Sequence, residues 1–126
     1  MNLNQITVPS VNLSASISFY KKLGLKLIVD APPHYARFEC PEGVATFSIH
    51  LVDDLPRGNG VIVYFEHKAV DEYVNELIKK GIEFEELPED KSWLWREARL
   101  KDPDGNQLII FYGGDNRKNP PWRIGD

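Results

Sequence analysis

Apolar and polar positions alternate over residues 3–8, with Ile6 and Val8 on one face and Gln5 and Thr7 on the other. This predicts a half-buried strand, ended by Pro9. From Leu13 the period changes. Leu13, Ile17 and Tyr20 recur at helical spacing behind Asn12, a residue suited to cap a helix N-terminus. Gly24 supplies the left-handed position that ends such a helix, and residues 25–30 return to strand. After Pro32 and Pro33, residues 35–40 and 44–52 predict a hairpin that turns through Pro41, Glu42 and Gly43.

The pattern then restarts. Residues 53–60, with Pro56, Gly58 and Gly60, predict a linker. Residues 61–66 predict a strand, 69–80 a helix with Val70, Val74, Leu77 and Ile78 inward, and 82–87 another strand. A polar stretch over 88–92 leads into a strand over 93–101. Asp102-Pro103-Asp104-Gly105-Asn106 predicts a turn before a last strand over 107–112. Beyond it the chain reads as irregular, with Trp122 expected to pack by its ring. Gly24 and Gly81 stand 57 positions apart, as do Gln5 and Ile62. The same strand, helix, strand, strand, strand unit is therefore written twice. The expected fold class is α+β, two tandem βαβββ modules forming a curved mixed sheet around a groove. One domain spans 1–126, with module one at about 1–53, the linker at 53–60, module two at 61–113 and a tail at 114–126.

Composition narrows the function classes. Fifteen Lys and Arg against nineteen Asp and Glu give a net charge of −4, which offers no basic stripe for nucleic acid. The hydrophobic fraction of 42% fits a soluble globular chain, and no apolar run is long enough to cross a bilayer. The single cysteine, Cys40, cannot close an internal disulfide and fits a reducing compartment. A cytoplasmic protein with no nucleic-acid or membrane partner is expected.

The segment Gln5-Ile6-Thr7-Val8, the run 13–25 with Phe19, Tyr20 and Gly24, and the late run 96–106 ending in Asp-Pro-Asp-Gly-Asn together resemble the glyoxalase/bleomycin-resistance/dioxygenase superfamily, also called the vicinal oxygen chelate fold. The resemblance implies metal ligands at Gln5, at Ile62 and, three residues past the turn, at Ile109. Isoleucine donates nothing to a cation, so no metal and no cofactor are expected here.

Strand alternation then assigns the groove. The first half contributes Gln5, Thr7, Arg37, Ser48 and His50. The second contributes Ile62, Tyr64, Glu66, Glu97, Ile109 and Phe111, with Trp93 and Trp95 at the rim. Such an apolar and aromatic floor with a few polar groups is the usual makeup of a small-molecule site, and tryptophan offers a face to cations. The resemblance implies a bleomycin-resistance-like binder, with 92–97 like the tryptophan-bearing loop of those proteins. The expected function is metal-independent binding of an aromatic or cationic small molecule, by a homodimer that buries its open sheet edges. The alternative is a divalent-metal lyase, isomerase or dioxygenase with a nonstandard ligand set such as Gln5, His50 and Glu97. His50 and Glu97 are also the pair that could serve as acid and base. A third option is a module whose groove serves assembly alone.

Overall fold

The structure is a computed structural model that describes residues 1–125. Its elements run β1 (Gln5–Ser10), α1 (Leu13–Leu23), β2 (Lys26–Ala31), β3 (Tyr35–Glu39), β4 (Thr46–Leu51), β5 (Ile62–Glu66), α2 (Val70–Lys79), β6 (Glu86–Asp90), β7 (Arg96–Lys101) and β8 (Gln107–Tyr112), followed by a short 3-10 turn at Gly114–Arg117. The α+β class and the doubled βαβββ order are as expected. Each module forms its own four-stranded mixed sheet, in the orders β1-β4-β3-β2 and β5-β8-β7-β6. In both, the first strand pairs parallel with the last, and the remaining pairs are antiparallel. Two compact units result. Unit 1 comprises Met1–Gly60 with the turn Asp102–Asn106, and unit 2 comprises Val61–Lys101 with the segment from Gln107 onward.

In unit 1 the Asn12 side chain accepts the Ala15 amide at 3.1 Å, and Gly24 closes α1 in the left-handed conformation at φ 110°. Both follow from the sequence. The helix buries Leu13, Ser16, Tyr20 and Leu23. The Tyr20 ring lies 4.5 Å from Phe47 and 5.9 Å from Phe38, so the core is aromatic. Its hydroxyl donates to Asp102 at 2.6 Å. Asp102 in turn accepts the Asp104 and Asn106 amides at 2.9 Å, which organises the turn. Asp104 accepts from Ser16 at 2.7 Å and from the Val11 amide at 2.9 Å. Burial first, then the Asp102 carboxylate beside it, holds the Tyr20 phenol protonated well above the usual tyrosine range. A buried carboxylate is tolerated here because every lone pair it turns inward meets a donor.

Unit 2 departs from expectation in four places. The strand expected at 82–87 starts at Glu86 and runs on through Pro88, with an irregular register between Glu86 and Glu89. Proline is admissible there because β6 is an edge strand that needs no ladder donor on its outer side. The strand expected at 93–101 begins only at Arg96, because 91–95 form the turn of the β6–β7 hairpin. Ile78 is 43% exposed, since α2 turns only Val70, Val74 and Leu77 inward. Trp122, expected to pack, is 57% exposed; the tail folds on itself, where Arg123 donates to Asn119 and to the Lys118 carbonyl. Before α2, the Nδ1 of His67 accepts the Ala69 amide and its ring stacks on Tyr73 at 4.3 Å, so this histidine serves the helix start.

Replacing Tyr20 by Phe leaves the Asp102 carboxylate short of one donor while barely changing volume. The expected cost is about 2 kcal/mol, read as a lower urea midpoint with an unchanged slope.

Candidate functional site

In unit 2, α2 packs against β6, β7 and β8, and Ala98, Leu100, Leu108 and Ile110 of that face are buried to 1% or less. On the opposite face Glu97, Ile109 and Phe111 are themselves buried, while Tyr64 is exposed. Cross-strand partners lie side by side on this face, in the rows Tyr64, Ile109, Arg99 and Glu66, Phe111, Glu97. Trp95 joins them from the hairpin turn. Its ring stacks on Phe111 at 4.7 Å and 29°, and Tyr64 meets both rings edge-on at 5.8 and 5.5 Å. The result is a cluster of three aromatic rings.

Two backbone features position it. A β carbon at Gly113 would sit 2.9 Å from the Trp95 Nε1, so only glycine lets the indole lie against the chain there. In the hairpin turn the Leu94 amide donates to the Lys91 carbonyl at 2.9 Å and the Lys91 amide to the Trp95 carbonyl at 2.8 Å. That three-residue loop requires a left-handed residue, and Leu94 takes it at φ 67°. A branched side chain rarely adopts this conformation, and it sits between the two tryptophans.

Glu97 is 4% exposed, and its carboxylate accepts from the Trp93 indole. Among the described residues it forms no ion pair; Lys91 is engaged by Glu86 and Glu89 instead. The charge acting on this buried carboxyl is that of the Lys91 ammonium, felt without a direct ion pair among the described residues. Glu66, on the same row, accepts the Gly113 and Gly114 amides at 3.1 and 3.2 Å and so fixes the chain beneath Trp95.

The face of unit 1 opposite α1 has different chemistry. Its central row is Val29, Arg37, Ser48, Thr7, and beside it lie Ala31, Tyr35, His50, Pro9. Ser48 is fully buried and shares a 2.6 Å hydrogen bond with Thr7. The Arg37 Nε donates to the Tyr35 hydroxyl at 2.8 Å, with the guanidinium 5.3 Å from the ring centre. Slight burial opposes ionisation of Tyr35, but the hydrogen bonds from Ser48 and Arg37 and the Arg37 charge outweigh it and lower its pKa. His50 is exposed opposite Tyr35. Gln5 is exposed at the sheet edge, where its Oε1 accepts from Thr46 at 2.8 Å.

These positions test the implied metal. Ile62 and Ile109 carry no donor, Gln5 is engaged by Thr46 and Glu97 by Trp93. Among the described residues no three His, Cys, Asp or Glu side chains converge on one point. The residues present do not fit a divalent ion at the implied position. Strand alternation found Arg37, Ser48, Tyr64, Glu97, Ile109 and Phe111 on their observed faces, but it missed Tyr35 and Gly113. Tyr35 lay two residues from Arg37 on the same strand, which was signal enough. Nothing local marks Gly113, because its partner Trp95 comes from another strand. Cys40 is a half-buried thiol whose pKa burial raises, which suits packing rather than nucleophilic chemistry.

The sequence matches the family model described as the glyoxalase/bleomycin resistance protein/dioxygenase superfamily over residues 2–110. The chain belongs to this superfamily. It is similar to a glyoxalase/bleomycin resistance protein/dioxygenase from Nocardioides, at 25% identity and TM-score 0.79, over 99% of this chain and 90% of that one. A lactoylglutathione lyase from Agrobacterium tumefaciens shares the fold at 20% identity and TM-score 0.72, over 89% of this chain and 93% of that one. So does a bleomycin-binding protein complexed with bleomycin, at 17% identity and TM-score 0.74, over 90% and 99%. No curated protein shows significant sequence similarity to the chain. Among the described residues, no helix is long and apolar enough to cross a membrane.

Two outcomes are expected. Gly113→Ala pushes the Trp95 indole off its place, costing about 1–2 kcal/mol in urea unfolding and shifting tryptophan emission. Absorbance titration of phenolate shows an early component that Tyr35→Phe removes. Arg37→Gln moves that component to higher pH, because the lost charge and hydrogen bond favoured the ionised form.

Proposed function

We propose that this superfamily member binds a planar, cationic small molecule without a metal ion, on the aromatic face of unit 2. The observation that carries this reading is Glu97, a carboxyl group 4% exposed that accepts from the Trp93 indole and has no direct ion pair among the described residues, the Lys91 charge acting on it from beyond ion-pair distance, on the same face as Phe111 and Tyr64. A cation lying on the exposed Tyr64 and Trp93 rings gains from their quadrupoles and from the Glu97 carboxyl beside Trp93, and both terms strengthen where water is excluded. Ring area is available, since Tyr64 and Trp93 are 44% and 45% exposed. The donor set supports a metal-free mode, because two of the three implied ligand positions are isoleucine. The superfamily's fold neighbours include a bleomycin-binding protein and a lyase. The former is the nearer parallel for this reading, because aromatic rings with a carboxyl beside them suit a flat, charged ligand.

Tryptophan fluorescence tests this with two ring systems of equal shape, 1-methylquinolinium and quinoline, and with bleomycin. At neutral pH the methylated ring is cationic and quinoline is neutral. The expected result is saturable quenching by 1-methylquinolinium, weakened about tenfold by Glu97→Gln, with quinoline binding weakly and indifferent to that change. A flat response to all three probes, or equal binding of charged and neutral rings, contradicts the proposal.

A further inference from the structure

We propose that the sheet face of unit 1 holds an oxyanion subsite, in which the terminal nitrogens of Arg37 take a carboxylate or phosphate group, with the exposed Thr7 hydroxyl on the same sheet row. Arg37 sits mid-sheet in a row that contains no carboxylate, between Val29 on β2 and Ser48 on β4. It takes part in none of the ion pairs among the described residues. The acids on its own strand and on β2 are engaged or turned away. Glu39 lies 3.7 Å from Lys26, and Asp30 pairs with Ala36 on the opposite face. Arg96 of unit 2 shows the contrast, bonded to both Asp71 and Asp90.

The guanidinium is also held in place. Tyr35 accepts from Nε and carries the group near its ring, which leaves the two terminal nitrogens as the fork that grips an oxyanion with two parallel bonds. Immobilising the side chain in advance removes part of the entropy that binding would otherwise cost. On the same row the buried Ser48 hydroxyl bonds the exposed Thr7 hydroxyl, which leaves Thr7 as the one of the two that can meet a ligand. The fold does not impose this row. In unit 2 the register equivalents of Thr7, Ser48 and Arg37 are Tyr64, Ile109 and Arg99, and the Nη1 of Arg99 donates to Gln107. Hydroxyls beside an unneutralised guanidinium occur in unit 1 alone of the two.

Tyr35 reports on the site. The groups facing it are Arg37 on its own strand and Ser48 and His50 on β4, while Ala31 on β2 brings no charge. A bound anion opposes formation of phenolate, so the early phenolate component moves to higher pH. With the full chain at constant ionic strength in chloride, added sodium phosphate or sodium acetate is expected to raise that midpoint by about one pH unit at saturation. Tyr35→Phe identifies the component. Arg37→Lys, which keeps the charge without the fork, is expected to weaken the response at least about fivefold, and Arg37→Gln to abolish it. A response to phosphate alone assigns a phosphate-bearing ligand, to acetate alone a carboxylate-bearing one, and to both the shared chemistry. A midpoint unmoved by either anion, or moved equally in Arg37→Lys and Arg37→Gln, overturns the proposal. Tryptophan quenching by 1-methylquinolinium is read independently, so failure of one proposal leaves the other standing.

Discussion

The pleat of each sheet is the constraint on which the rest depends. Once a helix covers one face, each strand must send alternate side chains to that face and the remainder to the other. Ala98, Leu100, Leu108 and Ile110 are therefore spent on the core under α2, and Glu97, Arg99, Ile109 and Phe111 are committed to the opposite side. The same rule in unit 1 turns Ala36, Phe38, Phe47 and Ile49 toward α1 and sends Tyr35, Arg37 and the buried Ser48 to the opposite face.

Duplication turns that constraint into a comparison. Gln5 and Ile62, Thr7 and Tyr64, Ser48 and Ile109 occupy matching register positions of two sheets with the same strand order. At each pair, unit 1 holds a polar side chain and unit 2 an apolar or aromatic one. Ring platforms favour flat and charged partners, whereas a fixed guanidinium with hydroxyls favours oxyanions. One architecture has thus been given two chemistries, and isoleucine where a cation would need donors belongs to the ring-bearing one.

Most of the fold was legible because alternation and helical spacing are local signals. Asn12 capped the helix it was expected to cap, and Gly24 ended it. What was not legible depended on partners distant in sequence. Ile82 and Phe84 alternate like a strand, yet pairing with β7 begins in earnest only at Glu86, because an edge strand takes its register from its neighbour. Trp93 and Trp95 lengthened the apparent strand, although their place is a turn that strains Leu94. Within the site, the faces could be assigned from sequence. The bonds from Trp93 to Glu97 and from Arg37 to Tyr35, and the approach of Trp95 to Gly113, needed geometry.

The central claim is that rings and a buried carboxylate, with no metal ion, carry recognition in unit 2. Elemental analysis of protein purified without chelators, joined to thermal melts in added Zn, Ni, Mn and Fe(II), tests it most directly. The account predicts metal far below one ion per chain and no stabilisation by any of the four. One equivalent of a transition metal that survives dialysis and raises the melting temperature would contradict it.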